Sequence, residues 1–366
     1  MTKPDVHLPP PEAAKLAAPA QWVLLIAVSA VFSAVLAWAD MPAALLLGPM
    51  LGGIAVAFFG ARIQVPRQAF AAAQGVLGCM IATALPISSW TAGDWPLLAA
   101  GVLTVIAACG ALGWLMTRLR VLPGTTVVWG LSPGAASVMI LMADSFGADA
   151  QIVALMQYTR VILVAGIASA IAKFTGAAAL HAAHAVEWFP AIAWLPFAQT
   201  LALAAAGPFV ARRLNMPSAA LLVPVIFGML LTAHGVMTIE LPHWLLAAAY
   251  AFIGWRIGLR FTRPLLVYAL GALPAIIVST LALIAACGAL AAVFVLAAGV
   301  DPLTAYLATS PGGADSVAII SASTHVDAPF VMTMQMMRFG VVMLIGPAMA
   351  KFIAVRIGAP RPAAGT

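Results

Sequence analysis

Runs of about 20 apolar residues, each closed off by charge, proline or tryptophan, account for most of the chain. In the first half they fall near 21–38, 43–60, 68–87, 96–117, 124–142 and 150–173. In the second half they fall near 193–211, 218–234, 243–260, 265–298, 302–320 and 329–352. At 1.5 Å per residue such runs suit helices that cross about 30 Å of hydrocarbon. The pattern predicts an all-α polytopic membrane protein in two repeats, 21–174 and 193–357, joined by a polar linker at 175–192. Residues 1–20 are expected to form a mobile N-terminal tail, with a C-terminal tail at 358–366.

Six segments match six, and the match extends to residues. Met41-Pro-Ala-Ala-Leu-Leu-Leu-Gly-Pro49 answers Met216-Pro-Ser-Ala-Ala-Leu-Leu-Val-Pro224, and Ile106-Ala-Ala-Cys-Gly-Ala-Leu112 recurs unchanged at Ile284 to Leu290. Leu131-Ser-Pro-Gly-Ala-Ala-Ser137 returns as Thr309-Ser-Pro-Gly-Gly-Ala-Asp315, and each is followed by Met-Gln-x-x-Arg, at Met156 to Arg160 and Met334 to Arg338. The offset is constant, since 310 − 132, 335 − 157 and 338 − 160 all give 178. This is a duplication.

Charge assigns each copy a direction, because short cytoplasmic loops collect Lys and Arg. In the first copy Arg62 and Arg67 follow the second segment and Arg118 and Arg120 the fourth, while Asp40 and Asp94 follow the first and third. In the second copy Arg212 and Arg213 follow the first segment and Arg256, Arg260 and Arg263 gather at the end of the third, while Glu240 and Asp301 follow the second and fourth. The phase is shifted by one loop, the signature of an inverted-topology repeat. Inversion needs an odd number of crossings per copy, so one segment in each should not span. The short fifth segment, with Ser-Pro-Gly near its middle, is the candidate. A re-entrant hairpin there gives about ten crossings and puts both termini in the cytoplasm; a spanning broken helix leaves a similar trace.

Composition agrees: 64% of residues are hydrophobic and 8% charged, with a mean hydropathy of +1.08. The net charge of +6 sits mostly between apolar segments, so it sets orientation and implies no nucleic-acid partner. Cys79, Cys109 and Cys287 all lie in apolar segments and read as packing residues. Lys3 and Lys15 are mixed with Asp5, Glu12 and a Pro9 to Pro11 run, which argues against a cleaved secretory signal. His181 and His184 lie in the linker and read as a solvated helix end, so no metal site and no cofactor are expected.

Candidate chemistry clusters at the duplicated motif. Pro133-Gly134 and Pro311-Gly312 should stop one helix and start another at mid-membrane. The bare amides of the new helix form an anion site, with Ser132 or Ser310 as its cap and Ser137, Gly313, Ser316 or Asp315 close by. The alternative for each copy is a plain proline kink. Arg160 and Arg338 lie about ten residues into the sixth segments, with Gln157 and Gln335 on the same helical face. Each arginine either holds an anion or ties down the neighbouring helix ends. Asp315 stands where the other copy has Ser137; it reads as a proton or sodium coupling site or as an ion-pair partner of Arg338 or Arg160. Asp144, Asp149 and Asp327 are expected only to face water.

At these two motifs and their Gln-x-x-Arg pairs, the chain resembles the AbrB-duplication membrane protein family, some of whose members carry an ammonia monooxygenase label. The resemblance covers about 21–355. It implies kinship with the cation/proton antiporter and anion transporter superfamily, inverted repeats with helix breaks at the core, and a link by name to regulation of gene expression. The oxygenase label fits these residues poorly, because six unclustered histidines do not suit copper or iron. A direct regulatory role lacks an extramembrane segment long enough for a DNA-binding domain. The expectation is therefore a non-enzymatic secondary transporter of a small anionic solute in a bacterial cytoplasmic membrane, coupled to H+ or Na+. A membrane regulator or sensor that binds without transport is the alternative. The many small residues would allow close helix packing within or between subunits of a homo-oligomer.

Overall fold

A computed structural model describes residues 16–39, 41, 43–85, 94–122, 125–132, 139, 143, 148–174, 188–214, 216 and 218–356, with backbone alone at 94, 315, 343–351 and 353–356. Among the described residues the secondary structure is entirely helical. The helices of the first half are α1 (Ala18–Trp38), α2 (Ala44–Phe58), α3 (Arg67–Thr83), α4 (Asp94–Arg118), α5 (Thr126–Leu131) and α6 (Ala150–Phe174). Those of the second half are α7 (Trp194–Leu214), α8 (Ala219–Ala233), α9 (His243–Gly258), α10 (Arg263–Ala269), α11 (Leu273–Ala298), α12 (Pro302–Thr309), α13 (Ala314–Ala322) and α14 (Ala328–Arg356). Five described helices, α4, α6, α7, α11 and α1, are long and apolar enough to cross a bilayer, and α2 and α8 are shorter apolar helices.

One segment expected to be continuous is not. The run 265–298 divides into α10 and α11, with Leu270, Gly271 and Ala272 between them. Pro264 and Pro274 each occupy the opening turn of a helix, where a missing amide costs nothing.

The helices pack in two groups. α1, α2, α3, α7, α8 and α9 form one, in which α2 packs on α9 and α8 on α3. Glycine makes both contacts close. A methyl at Gly254 would sit 2.7 Å from Leu46 O and 3.1 Å from Pro49, and one at Gly78 would sit 2.6 Å from Leu221 O and 3.0 Å from Pro224. The third helix of each copy thus lies on the proline-bearing second helix of the other. The second group holds α4, α5, α6, α11, α12, α13 and α14, with α4 against α14 and α11 against α6. Outward-facing Val23, Ile26, Val31 and Val35 on α1, Ile226 and Phe227 on α8 and Val278 and Val293 on α11 are exposed, as lipid-facing side chains are.

The fifth segment of the second copy folds back on itself. Asp327 N, just before α14, donates to Thr304 Oγ1 in the first turn of α12 at 3.1 Å. Five residues from Ala322 reach at most about 18 Å. Had α13 continued along the axis of α12, the two helices alone would have carried the chain about 21 Å away. Asp149 N donates likewise to Thr126 Oγ1 at 3.3 Å, so the first copy also returns to the level where α5 begins.

Candidate functional site

The better described of the two motifs is built by α12 and α13. Asp301 starts α12 by accepting from Thr304 N at 3.0 Å, with Pro302 in the first turn. Pro311 then ends the helix, because it has no amide to donate and clashes with the preceding turn. Ser310 is the C-cap of α12: its amide donates to Tyr306 O at 2.8 Å and its hydroxyl to Leu307 O at 3.1 Å. This corrects the expectation that Ser310 caps the new helix. The N-cap of α13 is Gly313, which supplies no side chain. In the first copy Ser132 occupies the same place at the end of α5, its hydroxyl donating to Val128 O at 2.7 Å. Both serines spend their hydroxyl protons on the preceding turn, because that turn lies within reach before the chain bends away. Pro133, Gly134 and Ser137 lie outside the described residues.

The Gln-x-x-Arg pairs close on these ends with one hydrogen-bond scheme. Gln157 Nε2 donates to Trp129 O at 2.9 Å and Ser132 O at 3.3 Å, and Arg160 NH1 donates to Ser132 O at 3.1 Å. Gln335 Nε2 donates to Leu307 O at 2.7 Å and Ser310 O at 3.4 Å, and Arg338 NH1 donates to Ser310 O. Each arginine also donates through NH2 to the glutamine oxygen one turn back, Arg160 at 2.7 Å and Arg338 to Gln335 Oε1. Arg338 NH2 reaches Gly312 O as well, at 3.2 Å. The carbonyls orphaned at the end of a broken helix carry partial negative charge, and a guanidinium is the side chain best shaped to answer several at once.

Carbonyls satisfy geometry but leave the charge. Arg160 and Arg338 are 4% and 5% exposed, and Gln157, Gln335, Ser310 and Ser316 are buried with them. Among the described residues neither guanidinium pairs with a carboxylate, and Arg160 Nε is buried without a hydrogen-bond partner. Pro311 and Gly312 are buried and Gly313 half-buried; the backbone of Asp315 lies in the first turn of α13, while its side chain is outside the description.

The two motifs approach each other. A methyl on Gly312 would stand 2.9 Å from Val164 Cγ1, one turn beyond Arg160 on α6. Cys109 on α4 and Cys287 on α11 lie close enough to interact with each other and with the charge of both arginines. Both thiols are free and buried. Sequence reasoning assigned these cysteines to packing and missed their meeting, although the shared Ile-Ala-Ala-Cys-Gly-Ala-Leu string was the available signal.

Two further expectations change. Asp149 and Asp327 are not merely solvent-facing, because they cap the helices that carry the arginines. Asp149 Oδ1 accepts from Gln151 N and Ile152 N at 3.0 Å, and Asp327 Oδ1 accepts from Phe330 N at 3.0 Å. Asp149 Oδ2 also accepts from Tyr268 OH at 2.6 Å, which raises the tyrosine above its ordinary range. Asp144, His181 and His184 lie outside the described residues, and no cluster of metal ligands occurs among the described ones.

Long apolar helices with exposed aliphatic flanks, and arginines buried against helix breaks, define a polytopic helical membrane protein. The sequence profile of the family described as "Transition state regulatory protein AbrB" matches residues 45–354. The chain belongs to that family. It is 43% identical over 337 residues to the protein named "Putative regulator AbrB" of Escherichia coli (strain K12), covering 91% of this chain and 97% of that one. It is 26% identical over 305 residues to "Uncharacterized protein YhjN" of Bacillus subtilis (strain 168), covering 77% and 78%. No solved structure matches it significantly.

Proposed function

We propose that the chain is a secondary transporter of a small anionic solute, built from two inverted repeats with about ten crossings and two re-entrant segments. The observation that carries this reading is the pair of buried arginines at two equivalent helix breaks, neither of which pairs with a carboxylate among the described residues. Buried positive charge of this kind favours an anion that neutralises it. Ser132 to Ser137 and Ser310 to Ser316 form the two half-sites, and Asp315 is the coupling-ion candidate for H+ or Na+.

Helix directions support inversion. α5 and α6 run the same way, because Thr126 meets Asp149 and Ser132 meets Arg160. α4 runs against α5 across the short 119–125 connection. It runs with α14, since Gly101 lies by Met334 and Cys109 near Arg338. The two arginine-bearing helices are therefore antiparallel. Lys173 Nζ donates to Ala39 O, which joins the end of α6 to the loop after α1. That is the neighbour a re-entrant fifth segment requires, because it makes α6 cross in the same direction as α1.

Counterflow in proteoliposomes tests the function. Wild-type protein should exchange labelled solute, with candidate organic and inorganic anions first screened by thermal shift. Arg160→Gln and Arg338→Gln should each lower exchange by about tenfold or more, equivalent to about 1.4 kcal/mol, while remaining monodisperse. Normal exchange in both variants would remove the arginines from the site. The alternative, a membrane sensor that binds without moving its ligand, draws on the name of the Escherichia coli relative. Saturable binding without counterflow would favour it.

A further inference from the structure

A cavity of about 430 Å³ opens where the α2–α3 loop and the end of α9 meet the first turns of α6. Among the described residues its polar wall is Gln64, Gln151, Tyr158, Arg256, Arg260 and Thr262, the rest is aliphatic, and none is acidic. Arg256 stacks over Phe70 at 5.5 Å and Arg260 over Tyr158 at 5.9 Å. Stacking holds each guanidinium by its face and leaves the donor edges free for a ligand. Arg67 and Arg260 both lie close enough to repel Arg256. The acid next to the wall in sequence, Asp149, is occupied by the α6 amides and by Tyr268 OH.

Three like charges drawn together beside a concave, partly aliphatic wall are unfavourable until an anion arrives between them. We propose that this cavity is a second anion site, apart from Arg160 and Arg338, that takes a ligand bearing a carboxylate or phosphate group on an apolar body. Arg256 and Arg260 hold the charged group, Gln64, Gln151 and Thr262 complete its hydrogen bonds, and the aliphatic wall covers the remainder. The occupant would bridge the two helix groups, because Gln64 and Arg256 belong to the first and Gln151 and Tyr158 to α6 in the second. Tyr158 precedes Arg160 by two residues, so an occupied site restrains the helix that carries that arginine.

Arginine-selective labelling with phenylglyoxal, read peptide by peptide by mass spectrometry, tests the site without any transport measurement. Citrate and inorganic phosphate are added to the full chain in detergent. In a second arm the chain is placed in nanodiscs of phosphatidylglycerol or of phosphatidylcholine. Modification of Arg256 and Arg260 should slow about tenfold when the anion stands at about ten times its Kd. Arg213, exposed and stacked singly on Phe209, should label unchanged. Protection by citrate or phosphate makes the ligand a soluble anion; protection only in phosphatidylglycerol makes it a lipid headgroup. Ala154→Trp, which fills the cavity and leaves every charge in place, should abolish the protection. No protection in either arm, equal slowing at Arg213, or protection that survives Ala154→Trp would overturn the proposal.

Discussion

Arg160 and Arg338 illustrate how a costly residue can also serve the backbone around it. Breaking a helix inside the apolar core orphans carbonyls that water cannot reach, and each buried unpaired group costs about 1–3 kcal/mol. The glutamine and arginine one turn apart on α14 answer those carbonyls and each other, as their counterparts on α6 do for α5. The same economy holds at the helix starts, where Asp149 and Asp327 satisfy first-turn amides. Tyr268→Phe should lower the thermal midpoint by removing a donor from Asp149. The hydrogen bond raises the tyrosine, so its contribution is complete below the ordinary tyrosine value of about 10 and is lost as pH climbs through the raised one. Midpoints of wild type and variant should therefore differ by a constant amount at neutral pH and converge in strong alkali. A gap that widens with pH would contradict this sign.

Elements meet here through small residues. In lipid the driving force for helix association is close packing and not exclusion of water, so a glycine at a crossing cannot be enlarged cheaply. A methyl at Gly258 would stand 2.2 Å from Met50 O. Gly258→Ala should cost about 1–3 kcal/mol, measured as a lowered thermal midpoint in detergent. Gly288→Ala, with nothing within 4 Å of the added carbon, should be near neutral. If the two behaved alike, the close α2–α9 crossing would be wrong. The α4–α11 crossing has its own marker in Cys109 and Cys287. Mild oxidation of intact protein with diamide should link these two and leave Cys79 free; a link from Cys79 to either would contradict the packing.

Across the whole molecule, two halves with matched text interlock: each third helix rests on the other half's second, and each fourth on the other half's sixth. The proposed inversion has a direct consequence for labelling. In protein freed of native cysteine, Gln64→Cys and Thr238→Cys occupy the equivalent connections between second and third segments, and both positions are exposed. A membrane-impermeant maleimide applied to intact cells should modify Thr238→Cys at once and Gln64→Cys only after permeabilisation. Labelling of both from the same side would rule out opposed halves.

Apolar run lengths, the 178-residue offset and the paired prolines were legible without coordinates, because lipid forbids unsatisfied backbone and so writes its demands into local composition. The helical class, the helix ends at Leu131 and Thr309, and the burial of Arg160 and Arg338 follow from such local signals. The division at Leu270 to Ala272 was not legible, since an apolar string reads the same whether the helix runs on or restarts. Nor was the role of Ser310 as the end of α12, which depends on where the chain turns next. The return of Asp327 to Thr304, the approach of Cys109 to Cys287 and the gathering of Arg256 and Arg260 at one cavity, with Arg67 close to Arg256, belong to tertiary structure alone. Each joins residues far apart in the chain, and only the packed arrangement decides which distant groups become neighbours.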